Sequence, residues 1–167
     1  GKIRVINGDN IGSSFGAYNK AYEKFKDEYD YWAFTEDDVL VNLDNYFDIA
    51  IKQLNSNQSL GYVAFVGLSR SSPIHAHNGA GVSSAEALRK VYRKFGELPY
   101  CKLVADGTSR ENWSRQIHEG EVKFSNSFVK VGYNMEKINS TKKPYIRWSD
   151  EGKDIDLIYW GNTGYVI

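Results

Sequence analysis

The chain has 167 residues, 41% hydrophobic and 25% charged, which fits about one globular domain and includes no apolar run long enough to span a bilayer. Its 21 Lys and Arg balance 21 Asp and Glu, so no net field draws it to nucleic acid or to acidic membranes. The single cysteine, Cys101, excludes an internal disulfide and fits a reducing compartment.

No signal peptide or lipidation motif is visible, and an opening at Gly1 without methionine suggests a processed chain or a fragment. Aromatic residues stand out, with twelve Tyr, eight Phe and four Trp. They read either as an aromatic-rich core or as a surface that handles sugar rings.

In chain order, KIRVI (2–6) alternates and is β-branched, which predicts a short strand ending at the turn residues Asn7, Gly8, Asp9 and Asn10. A helix is expected from about Ser14, with Phe15, Tyr18, Tyr22 and Phe25 at helical spacing. YWAFT (31–35) reads as a buried strand that runs into three acids, Glu36, Asp37 and Asp38. A second helix carries Phe47, Ala50, Ile51 and Leu54 on one stripe and stops in NSNQS.

YVAFVGL (62–68) is another buried strand, and 69–81 reads as a long loop of Gly, Ser and Pro that contains His75 and His77. A third helix begins at a capping box from Ser83 to Glu86, buries Leu88, Val91, Tyr92 and Phe95, and stops at Gly96. Residues 96–116 read as irregular. EVKFSNSFVKVG (121–132) predicts a helix with Val122, Phe124, Phe128, Val129 and Val131 apolar, and the tail reads as short strands or a docking hairpin. This order predicts α/β layering with a partly parallel sheet, whose ligands sit outside the carboxyl ends of strands.

The acidic triplet lies at such an end. In extended chain Glu36 and Asp38 point one way and Asp37 the other. Two carboxylates ~4 Å apart repel by roughly 4 kcal/mol at an effective dielectric near 20, and a divalent cation between them reverses the sign. Mg²⁺ typically takes one or two carboxylates and completes its shell with water and phosphate oxygens. The other reading is a solvated turn in which Asp37 or Asp38 caps the next helix. For Glu121 the two readings are a catalytic carboxylate and a helix N-terminal acid that complements the dipole. Trp113 reads as a packing residue or as a platform for a sugar ring.

The stretch from Asn10 to Asn42 resembles the central part of the family 2 glycosyltransferases, which have the GT-A fold. The residues that carry the likeness are Asn10, Gly12, Gly16 and Asn19 in a turn and helix, Tyr29 and Tyr31 before and in a strand, and then Glu36-Asp37-Asp38. The resemblance implies that Glu36 and Asp38 hold a divalent cation, Mn²⁺ or Mg²⁺, with Glu36 standing where Asp is usual. Asn10, Gly12, Asn19 and Asp37 then fall on the donor side. Downstream, GEVKFSNSFVKVGYNM is similar to the family's acidic pair and the Lys-x-Gly-Tyr that follows it, with Lys130, Gly132 and Tyr133 in register. Glu121 falls on the catalytic base, Gly120 replaces the first acid, and Glu119 is the fallback candidate. HNGAGVSSAEALRKV (77–91) is similar to the acceptor-side loop and helix, which puts His77 there with Trp113. None of His75, His77 or His118 follows Glu121, so none matches the late histidine that some relatives use on the metal.

The resemblance implies an α/β, GT-A-like, partly Rossmann-like domain over 1–167, with a mixed, mostly parallel sheet flanked by helices and without the N-terminal nucleotide-binding strands. KIRVI would be its third strand, leaving a sheet edge open to another copy or to a preceding segment, and these residues alone are expected to bind nucleotide poorly or not at all. The implied activity is metal-dependent, inverting transfer from a nucleotide-sugar donor to a glycan or other hydroxyl acceptor, in polysaccharide biosynthesis, in the cytoplasm or at the inner face of a membrane. The alternatives are a non-catalytic carbohydrate-binding or assembly module and, ranked last, a metal-dependent phosphohydrolase.

Overall fold

The computed structural model describes residues 4–36, 39–69, 73–105, 109–140, 142, 144–147 and 165–166. Helix α1 (Ser13–Phe25) follows a tight turn in which Asn10 and Gly12 both take positive φ. Gly12 is required there: at φ +77° an added Cβ would meet a Tyr100 ring carbon at 2.5 Å and the Cys101 carbonyl oxygen at 2.7 Å. Strand β1 (Tyr31–Phe34) comes next, then β2 (Val39–Val41) and α2 (Tyr46–Ser56). Strands β3 (Leu60–Ala64) and β4 (Leu68–Ser69) lead through a 3-10 turn at His77–Gly79 into β5 (Gly81–Ser84) and α3 (Ala85–Phe95). A continuous helical stretch follows, made of α4 (Arg110–Arg115), a π-helical segment (Gln116–Val122) and α5 (Lys123–Lys130). Strands β6 (Asn134–Lys137), β7 (Tyr145–Arg147) and β8 (Tyr165–Val166) complete the described elements.

The main sheet has the order β1-β5-β3-β6. Strand β5 pairs antiparallel with both β1 and β3, whereas β3 and β6 are parallel. The expectation of a mostly parallel sheet is therefore corrected. Strands β1, β3 and β6 do point the same way, but β5 is inserted against them, so only one of the three pairings is parallel. The fold is mixed α/β, with a small mixed sheet flanked by helices. Small pairs β2–β7 and β4–β8 lie apart from it, both antiparallel.

Alternation along the strands divides the apolar residues between two faces. On one face Phe34, Tyr62 and Ala64 pack with Phe15 and Tyr22 of α1, Leu88 and Val91 of α3, and Phe124 and Phe128 of α5. On the other, Val63 and Val82 pack with Ala50 and Leu54 of α2. Leu60 joins the α2 side because the register shifts between Leu60 and Tyr62. Most aromatic residues are spent on this core, where the Phe34, Tyr62, Phe124 and Phe128 rings meet at centroid distances of 5.1–6.4 Å.

Three further expectations are corrected. Residues 4–10 form no strand, and the chain there is tied to its neighbours by side chains, as in the Arg4–Glu28 pair at 2.7 Å. The span 69–81 is not all loop, since Gly81 opens a buried central strand. The α3 cap is Ser84, whose Oγ accepts the Ala87 N–H at 3.2 Å, whereas Ser83 lies in β5 and donates its hydroxyl to the Gly61 carbonyl at 2.7 Å. Among the described residues no helix is long and apolar enough to cross a membrane.

Candidate functional site

Strand β1 ends at Phe34, opposite Gly81 of β5, and Gly81 in turn faces Ala64 at the end of β3. This end of the sheet opens into a cleft of about 270 Å³, lined by residues that include Ser14, Glu36, His77, Trp113, Gln116 and Glu121. Four separate stretches of chain build it, the first being the start of α1 with Ser14.

The β1 exit supplies Glu36. The Tyr18 hydroxyl donates to the Thr35 carbonyl at 3.0 Å, which fixes the chain one residue earlier. Glu36 itself is half-buried, and its Oε1 accepts the Ser14 hydroxyl at 3.0 Å. Asp37 and Asp38 lie outside the described residues.

The helix 110–130 supplies Trp113, Gln116 and Glu121. Its middle is π-helical, and insertions of this kind recur at functional sites because the extra residue re-aims the side chains that follow. Gly120 is buried against Phe15, where an added Cβ would meet a ring carbon at 2.9 Å. That contact leaves little room for any side chain at position 120. Glu121 is 7% exposed, while Glu119 turns outward to Arg115, 2.8 Å away, and to Lys123 at 4.0 Å. The fallback candidate is thus an ion-paired outer-face residue that does not line the cleft. Trp113, 63% exposed, stands at the cleft without a packing role in the core.

The segment before β5 supplies the histidines. The Ser69 N–H donates to the His75 carbonyl at 2.8 Å, the Ala76 N–H to Ser125 Oγ at 2.9 Å, and the His77 N–H to the Gly67 carbonyl at 3.0 Å. With Ala76 buried between them, the two rings turn to the same side. His75 Nε2 lies 3.5 Å and His77 Nδ1 3.6 Å from Glu121 Oε1.

The donor-side candidates hold backbone instead. Asn10 Nδ2 donates to the Ala105 carbonyl at 2.7 Å, and the Gly12 N–H to the Leu103 carbonyl at 2.9 Å. Asn19 is buried, and its Oδ1 accepts the Leu98 N–H at 2.8 Å. None of the three lines the cleft. Sequence reading missed Ser14, Gln116 and the involvement of His75, although the His-Ala-His alternation carried a signal that both rings face one way.

A larger groove of about 740 Å³ lies at the other end of the sheet, beside Asp30, Asn55, Glu86, Arg89 and Lys90. Two of its charges are paired with each other: Lys90 Nζ is 3.2 Å from Glu86 and donates to the Tyr133 hydroxyl at 2.8 Å. The smaller cleft holds the buried carboxylate and is the better candidate despite its size. Among the described residues, no three His, Cys, Asp or Glu side chains are arranged to hold a metal ion. The chain matches no family model, no curated protein and no solved structure.

Proposed function

We propose that this protein is an inverting glycosyltransferase that moves a sugar from a nucleotide-sugar donor to a hydroxyl of a glycan or other acceptor. One observation carries the reading: Glu36 and Glu121, 85 residues apart, line one cleft at the carboxyl end of β1, with an exposed Trp113 beside them. In the reaction the acceptor oxygen bonds to the anomeric carbon, the bond from that carbon to the diphosphate breaks, and the acceptor proton passes to Glu121. A positioned base of this kind is worth ~10²–10⁴-fold in rate. Trp113 offers a flat apolar face on which a sugar ring stacks.

Glu36 is a hard oxygen donor of the type that Mg²⁺ and Mn²⁺ take, and together with Asp38 it would hold such an ion. When bound, the ion supplies positive charge against the departing diphosphate. Ser14 would orient Glu36 through its hydrogen bond. The lone cysteine, buried and free, fits action in the cytoplasm or at the inner face of a membrane.

The test is release of nucleoside diphosphate by the full-length protein in Mn²⁺, with UDP-, GDP- and dTDP-sugars at millimolar concentration and a panel of glycan acceptors. Metal-dependent release is expected, falling about 10²–10⁴-fold in Glu121→Gln and reduced to background in Asp38→Ala. Release by Glu121→Gln at the unaltered rate removes Glu121 from the mechanism, and no release from any donor refutes the transferase. A second reading, a carbohydrate-binding module, is favoured by the Gly120–Phe15 packing, which leaves Glu121 without a neighbouring acid. It predicts glycan binding that survives Glu121→Gln, with no diphosphate released by either chain.

A further inference from the structure

We propose that His75 is a positioning residue for Glu121, holding its carboxylate from behind the cleft as one half of an imidazolium–carboxylate pair. His75 is not among the residues that line the cleft, whereas His77 and Glu121 are. Its Nδ1 lies 2.9 Å from the Pro73 carbonyl oxygen. A carbonyl only accepts, so Nδ1 carries a proton. Nε2 then faces Glu121 Oε1 at 3.5 Å, with the two side chains 13% and 10% exposed.

A bare Nε2 would set its lone pair against a carboxylate oxygen in surroundings that water barely reaches. A proton between the two reverses the sign. At 3.5 Å the contact is too long for a neutral O–H···N hydrogen bond, whereas attraction between full charges falls only inversely with distance. The proton therefore belongs on Nε2, and the pair is ionic.

The surroundings leave His75 well placed for this. His77 Nδ1 approaches the same oxygen at 3.6 Å from the cleft side. Glu36 lines the same cleft, and α1 contributes only the uncharged Ser13, Ser14 and Phe15. On the helix that bears Glu121, Glu119 is turned to Arg115 and Lys123, and His118 is exposed. The His75 backbone is held through its carbonyl by Ser69, and the next residue by the buried hydroxyl of Ser125. A rigid cation behind the carboxylate keeps it aimed.

The experiment is ring-nitrogen NMR of the ¹⁵N-labelled chain at neutral pH, with His75 assigned among the three histidines by His75→Gln. Both His75 ring nitrogens are expected to be protonated in the unaltered chain, and Glu121→Gln is expected to remove the proton from Nε2 while Nδ1 keeps its own. An unprotonated Nε2 in the unaltered chain overturns the proposal, as does a His75 spectrum unchanged by Glu121→Gln. The first of these decides even where the variant does not fold.

A kinetic arm rests on the transferase reading. His75→Gln, which keeps an N–H donor but no charge, is expected to lower kcat about 10–100-fold at an unchanged KM and to move the pH–rate profile. An unmoved kcat and profile overturns the positioning role. No transfer by the unaltered full-length protein, with both His75 nitrogens protonated, supports the pair and refutes the transferase.

Discussion

Glu119 and Glu121 stand two residues apart on one helix and face opposite fates. The first is ion-paired on the outer face, and the second is buried beside two imidazoles. What separates them is Gly120, the residue without a side chain that lets Phe15 approach the helix. Gly120→Ala forces Phe15 to give by several tenths of an ångström. It is expected to cost about 1–3 kcal/mol in denaturant unfolding and to disturb the Glu121 pair, whereas unchanged stability would show that Phe15 relaxes freely. Tyr22 makes a separate residue-scale case. Its hydroxyl is buried with no hydrogen-bond partner among the described residues, and burial pushes its pKa from 10.0 up to about 12. The folded state favours the neutral phenol, so this contribution to stability is complete below pH 10 and is lost as pH rises towards 12. Tyr22→Phe removes the orphan group. At pH 7 it is expected to be neutral or more stable by about 1 kcal/mol, with its advantage widening between pH 10 and 12 in pH-dependent unfolding curves. A constant difference across that window would contradict the burial of this hydroxyl.

At the scale of elements, helices announced themselves more clearly than strands. α1, α2, α3 and α5 each bury a stripe of residues three and four apart, and that spacing is visible in sequence. Strand β5 did not, because Gly81-Val82-Ser83-Ser84 has neither alternation nor bulk; it is a strand because β1 and β3 take it between them. That pairing also moved the α3 cap by one residue. Ser84→Ala is expected to cost about 1 kcal/mol through loss of the Ala87 N–H bond, measured by urea denaturation, and no loss would mean that the cap is empty. α4 escaped notice for a different reason: RENWSR buries no residue and so leaves no apolar stripe. The π-helical segment is likewise invisible to periodicity. Deleting Ile117 is expected to restore α-helical pitch and turn Glu121 by about 100° around the axis. The readout is the His75 ring-nitrogen spectrum, which should then match that of Glu121→Gln; an unaltered spectrum would show that the segment does not aim Glu121.

On the scale of the molecule, the aromatic excess is largely a matter of folding rather than recognition. Phe124 touches Phe15, Tyr18, Phe34, Tyr62 and Phe128 within 6.4 Å between ring centroids, tying α1, β1, β3 and α5 into one core. Phe124→Ala is expected to destabilise the fold by about 3–5 kcal/mol, seen as a lower Tm; a loss under about 1 kcal/mol would mean that the core closes over the gap. Among the described residues Tyr29, Phe47, Phe95 and Trp113 stay exposed, and of these Trp113 lines the cleft.

The sequence by itself determined the α/β class, most of the helices and an acid, Glu36, just beyond the end of a strand, because local periodicity and charge placement are properties of neighbouring residues; the candidacy of Glu121 came from the family resemblance instead. Only the tertiary structure decided that β5 reverses the sheet, that Asn10, Gly12 and Asn19 hold backbone, and that His75 stands behind Glu121. Those outcomes depend on contacts between residues from 17 to more than 90 positions apart, and no local pattern encodes the distance across a folded sheet.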